Sequence, residues 1–142
     1  MTSRPDRWAA DRGSAAVELV LVTPLLIMVL LTVVALGRLA DARLVVADAA
    51  HQAARAASLA RTETRARSDA QRAARDALHA AHSACAHPKV MVDTGSLTPG
   101  ASTSAIVTCT ADLRDLTIIP MPGSVTVAET AHSPVDRFRS AP

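Results

Sequence analysis

The apolar positions of this chain fall into three patterns, and each predicts a different element. The first is the unbroken run Leu19–Leu36 (LVLVTPLLIMVLLTVVAL), which carries no charge and lies between Glu18 and Gly37-Arg38. At about 1.5 Å per residue such a helix reaches about 27 Å, close to the hydrocarbon thickness of a bilayer. It predicts a transmembrane helix over residues 14–37, with everything beyond it on one side of the membrane. In the second pattern Leu36, Leu39, Leu44, Ala47, Ala50, Ala54 and Ala57 recur at three to five residues, while Asp41, Asp48, Gln52 and Arg55 take other faces. No proline or glycine interrupts residues 38–60, so this segment continues the membrane helix outside the bilayer.

Thr62-Glu63-Thr64 predicts a restart, followed by a stripe at Ala66, Ala70, Ala73, Ala77, Ala81 and Ala84 joined by Leu78 and Cys85. This gives a second, Ala-rich amphipathic helix over 61–87, with Arg72 and Asp76 spaced to pair and Pro88 as its end. The third pattern has period two. Lys89–Thr94, Ser104–Leu113 and Ser124–Thr130 alternate apolar and polar residues between Gly95, Pro99-Gly100, Pro120 and Pro122-Gly123. They predict a small three-stranded antiparallel sheet over 88–132, with 133–142 an irregular tail. The fold class is α+β.

Composition changes this picture in one respect. The chain is 142 residues long and 49% hydrophobic, but much of that is the membrane run plus alanine, and Trp8 and Phe138 are the only aromatics. Large side chains contribute about 1.5–3 kcal/mol each to an ordinary core, and here they are scarce. A domain of about 105 residues built mainly from Ala and Val is weakly stabilised alone and needs a cross-link, a neighbour or the bilayer. Cys85 and Cys109 are the two cysteines, both beyond the membrane run. On an extracytoplasmic side they would pair and staple the second helix to the middle strand; the alternative is two buried free thiols.

A net charge of +2 is too small to point to nucleic acid, and the arginines alternate with Asp and Ala with no aromatics between them. Residues 1–13 (MTSRPDRWAADRG) show no helical period and read as a basic tail, with Arg4, Arg7 and Arg12 favouring a cytoplasmic N-terminus. An ordinary cleaved signal peptide fits poorly, because the apolar run is too long and no A-x-A-like site follows it.

Gly13 closes that tail and is followed by Ser14-Ala15-Ala16-Val17-Glu18 and then the apolar run. A glycine after a basic leader, small residues, a glutamate at the fifth position and a spanning helix make up a prepilin-type signal. The stretch RGSAAVELVLVTPLL, with Gly37-Arg38 and AAHQAARAA (Ala49–Ala57), resembles the TadE-like minor pilins of the tight-adherence, or Flp-type, pilus system. The specific part of the likeness covers about residues 12–57. Leu19 stands where the family usually has Phe or Tyr, and Pro24 matches its usual proline.

The resemblance implies a pilin-like architecture and a non-enzymatic role in pilus assembly and adhesion. It implies prepilin peptidase cleavage between Gly13 and Ser14 and a subunit-register role for Glu18; Pro24, which removes one backbone hydrogen bond, should itself kink the helix. It implies other pilin subunits as partners, with an assembly ATPase and inner-membrane platform proteins acting indirectly. The protein would be a single-pass resident of the cytoplasmic membrane, its C-terminal domain extracytoplasmic, in or beneath a surface pilus. Glu18 makes physical sense in that scheme. A carboxylate costs about 2.5–3.5 kcal/mol at the centre of a bilayer. The positive end of the helix dipole and the new amine of Ser14 on an adjacent subunit would offset that cost. The plainer reading leaves Glu18 among the lipid head groups.

Other residues carry less. His79 and His82 share a helical face beside Cys85 and His87, but their spacing fits no standard zinc pattern; His51 and His132 are isolated. Ser96 lacks a G-x-S-x-G setting, and Asp112 and Asp115 flank Arg114 as a solvated turn would. No cofactor, metal site or enzyme activity is expected. Two other classes compete with the pilin: an uncleaved single-pass membrane protein with a small extracytoplasmic partner-binding domain, and a soluble domain released by cleavage near Ala35–Gly37.

Overall fold

The computed structural model describes residues 8–83, 85, 87–112 and 123–138, with side chains from 17 onward except that of Asp112. The fold is α+β: helices α1 (Trp8–Leu59) and α2 (Glu63–Ala80), then strands β1 (Lys89–Asp93), β2 (Ser102–Asp112) and β3 (Ser124–Pro134). The chain divides into two compact units, residues 1–37 and 38–142, and α1 contributes to both.

In the first unit α1 begins at Trp8, inside the segment read as an irregular leader. Ala9 and Ala10 are strong helix formers, and the short stretch to Ser14 extends a helix already nucleated downstream. The helix continues through Pro24.

In the second unit α1 and α2 cover one face of the sheet. Val46, Ala49, Ala50, Ala53, Ala54 and Ala57 of α1 are buried with Ala66, Ala70, Ala74 and Leu78 of α2 and with Ala105, Val107, Cys109 and Ala131 of the sheet. The buried stripe therefore differs from the predicted one: Leu44 is 70% exposed, Ala47 is only half-buried, and Ala74 replaces Ala73 at the centre of the α2 face. The positions 46, 49, 50, 53, 54 and 57 keep a strict three-four spacing, and alanine there lets backbones approach closely, so the small face is buried in preference to Leu44.

Thr62 caps α2 as its sequence predicts, its Oγ1 accepting from the Arg65 N–H at 3.3 Å. Arg67 pairs with Glu63 at 3.4 Å, and Arg72 pairs with Asp69 at 3.5 Å, not with Asp76. The helix stops at Ala80, well before Pro88. The His82 N–H donates to His79 O at 3.0 Å and the Ser83 N–H to Leu78 O at 3.1 Å, with His82 at φ 50°. This paired closure satisfies the last carbonyls and ends the helix without proline. His82 occupies a conformation that favours glycine, so His82→Gly should raise stability by about 0.5–1 kcal/mol. A thermal melt followed at 222 nm checks this, with a midpoint rise of a few degrees expected.

The sheet order is β1-β2-β3, antiparallel throughout. Thr103, Ala105, Val107, Cys109 and Ala111 of β2 are buried toward the helices, with Val90 and Val92 of β1 inward beside them. Between β1 and β2, Gly95 takes φ 51°, and a Cβ there would collide with the Ser102 carbonyl. Its N–H donates to Asp93 Oδ1 at 3.1 Å.

Part of the expected tail is structured. Ser133 and Pro134 belong to β3 opposite Thr103 and Ser102. Val135 is buried, donates to Ala101 O at 2.8 Å and accepts from Gly100 N–H at 3.2 Å. The alternation fails to announce this because Ser133 and Pro134 have low strand propensity and are held by register alone. The expectations on residues 1–7, Ala84, Leu113, Arg114, Asp115, Pro120, Pro122 and 139–142 lie outside the described residues.

Candidate functional site

An unbroken apolar stretch of α1 gives the first unit its character. Val17, Leu19–Val22, Leu25–Leu31, Val33, Val34 and Leu36 are all exposed, and the most apolar stretch has no buried residue at all. A surface this apolar is not stable facing water; its length and composition suit a bilayer, with the chain providing a single such helix among the described residues. A membrane anchor follows. The hydroxyls within it are internally satisfied, as a hydrocarbon setting demands: Thr23 Oγ1 donates to Leu19 O at 2.6 Å and Thr32 Oγ1 to Met28 O at 2.8 Å.

Pro24 has no N–H, so the Val20 carbonyl one turn earlier lacks its usual helical donor. The Thr23 bond lies beside that gap. Gly37, at the far end of the apolar run, has nothing within 4 Å of where a Cβ would stand, so no packing requires glycine there.

Gly13, Ser14 and Glu18 share one continuous helical backbone. Ser14 and Glu18 are four residues apart, hence on one face and about 6 Å apart along the axis. Glu18 is exposed and is the last charge before the apolar run. Glu18 thus stands about one helical turn beyond the Gly13–Ser14 peptide bond.

In the second unit the two cysteines are joined. Cys85, in the loop after α2, is bonded to Cys109 of β2, with Cα atoms 5.5 Å apart. The bond ties that loop to the central strand, whereas Cys85 itself lies beyond the helix end and not on it. Polar tethers missed in the sequence fix α1 to the other end of the sheet. Thr103 Oγ1 donates to Ala54 O at 3.2 Å, and Ser58 Oγ meets Ser133 Oγ at 3.0 Å. Only the buried phase of Thr103 within the alternating strand hints at this, since nothing local marks a threonine as a helix-to-sheet clamp.

A cleft of about 210 Å³ lies among Leu39, Ala42 and Val45 of α1, Ala81–Ser83, and Ala111 and Val125 of the sheet. Its lining is apolar apart from Arg38, Asp41, His82 and Ser83. A second hollow is lined in part by Arg75, His79, Ser83 and His87. Among the described residues no group of three or more His, Cys, Asp or Glu could hold a metal ion.

Residues 13–55 match the family described as TadE-like protein. The match begins at Gly13, spans the apolar run and ends within the extension of α1, so the likeness read from RGSAAVELVLVTPLL holds over that segment. It stops before α2 and the sheet. No curated protein and no solved structure matches the chain.

Proposed function

We propose that this chain is a minor pilin or pseudopilin of the tight-adherence pilus system, anchored by α1 and acting in assembly without catalysing a reaction. The observation that carries the reading is coincidence: the TadE-like match starts at Gly13 and covers the uncovered apolar helix and its leading Glu18. In this reading a prepilin peptidase cuts after Gly13 on the cytoplasmic face. The freed α-amine of Ser14 then pairs with Glu18 of a neighbouring subunit and sets axial register, while Pro24 supplies a bend. The bilayer stores the subunit until an assembly ATPase, working through inner-membrane platform proteins, moves it into or beneath a filament. The domain after Gly37 is extracytoplasmic, and adhesion is the downstream outcome.

One observation favours a second reading, an uncleaved single-pass anchor for a small partner-binding domain. The backbone is helical across Gly13 and Ser14, and a protease needs that segment unwound. Glycine weakens a helix by roughly 0.5–1 kcal/mol relative to alanine, which places the easiest opening at the cut itself. Intact mass separates the two. Produced in membranes beside an active prepilin peptidase, the chain should start at Ser14, and Gly13→Leu should keep its leader. A full-length mass for the unsubstituted chain under those conditions decides for the anchor.

A further inference from the structure

The helices cover one face of the sheet and leave the other open. Across that open face run three rows of paired residues: Lys89–Thr108–Ala128, Met91–Ile106–Thr130 and Asp93–Ser104–His132. The middle row is apolar at its core and uncovered, with Met91 57% and Ile106 37% exposed. Lys89 and Asp93 are both exposed and stand one row either side of Met91 on the same strand. Neither forms an ion pair among the described residues; the Asp93 carboxylate accepts only from the Gly95 N–H. Charge therefore changes sign across the Met91 row.

We propose that this open face docks against the same face of a second copy, about a twofold axis lying along the Met91–Ile106–Thr130 row. Rotation about that axis sets Met91 on Met91 and Ile106 on Ile106. It also sets Lys89 over Asp93 of the second copy, and Asp93 over its Lys89. A twofold contact must be self-complementary, and this one is. The other in-plane axis, along the strands, would instead set Lys89 over Ala128 and Asp93 over His132, leaving the lysine without a partner. Of the other flanking residues Thr108, Ser104 and Ala128 are small, and the one larger side chain, His132, falls over Ala128 of the second copy, so the faces can approach to the ordinary sheet spacing of about 10 Å.

The area sets where the contact forms. One strand of 5 residues and two of 11, at about 3.4 Å per residue and about 4.8 Å apart, give roughly 440 Å² per copy, below the ~800 Å² of a standard interface. Such a contact is weak between free molecules and gains from copies held on one membrane, where tethering raises their effective concentration. It requires only that copies share a membrane side, whether or not they enter a pilus.

The test uses the full chain in membranes, with Met91→Cys treated with a short bis-maleimide, because a spacing near 10 Å is too wide for a direct disulfide. Copies on the axis should be joined as dimers. Thr110→Cys, on the same face but two rows away, puts its two copies about 27 Å apart and should stay monomeric. Adding Lys89→Asp to Met91→Cys opposes like charges and should lower dimer yield about tenfold. Adding Asp93→Asn as well keeps the acceptor for the Gly95 N–H and should recover much of that loss, since the introduced carboxylate then faces a neutral amide. Equal yields from Met91→Cys and Thr110→Cys would overturn the proposal. So would a Lys89→Asp effect that Asp93→Asn does not relieve, no effect of Lys89→Asp, or a Met91→Cys product joined only to another protein.

Discussion

Glu18→Ala should leave the chain in the membrane and lower its incorporation into pili by on the order of a hundredfold, the scale expected when one partner of a desolvated pair is removed. The apolar run from Leu19 to Leu36 drives insertion, and removing an acid at its edge lowers the cost of entering the bilayer. Assembly is different. If the Ser14 amine of one subunit is neutralised by Glu18 of the next, alanine leaves that amine uncompensated in an apolar setting. Glu18→Gln keeps size and polarity but not charge and should fail similarly; Glu18→Asp should retain part of the activity. Membrane fractionation and quantified pili, read on the same cells, separate the two steps. Equal pilus output from Glu18→Ala and the unsubstituted chain would remove the register role and leave the residue as a boundary marker among head groups.

Removing the cross-link should unfold the second unit far more readily. Cys85→Ser combined with Cys109→Ser opens a loop with a sequence separation of 24, which in the chain-entropy account is worth about 3 kcal/mol. That is a large share of the stability available here, because the largest fully buried side chains are Val46, Val107, Val135 and Thr103, and the rest of the core is mostly alanine. A buried methyl contributes about 0.8 kcal/mol, so many alanines are needed to match a few leucines. For a domain near 100 residues the loss corresponds to a drop in midpoint of roughly 12–20 °C. Melting of the full chain in detergent at 222 nm reads it, since the membrane helix contributes a baseline that does not melt with the domain. A midpoint within about 2 °C of the unsubstituted chain would mean that the alanine core alone holds the unit. Alkylation before and after reduction adds a check on sidedness: a bond formed in the cell requires an oxidising compartment, as an extracytoplasmic domain predicts.

Much of the architecture was legible because its signals are local. The run Leu19–Leu36 has no polar interruption of consequence, Thr62 followed by Glu63 marks a helix start, and period-two alternation with glycine and proline breaks marks the strands. The likeness around Gly13 and Glu18 was legible for the same reason: the signal is contiguous and read in one register. The errors fell where competing partners decide. Leu44 belongs to a plausible apolar stripe, yet it is exposed because the stripe that can approach α2 and the sheet is the one carrying only small residues. The sequence points to Pro88 as the end of α2 because proline is the visible breaker, whereas His82 in a left-handed conformation closes the helix earlier. Ser133, Pro134 and Val135 looked like tail, and pairing with β2 and the Ala101 backbone holds them in place.

The sequence by itself determined the elements and the membrane-length helix, since each depends on neighbours within one or two turns. Tertiary structure decided which alanine face is buried, that Thr103 and Ser58 clamp α1 to the sheet, and that Lys89, Met91 and Asp93 share an open face. Those outcomes depend on residues far apart in the chain competing for the same small interior, and no local pattern carries the result of that competition.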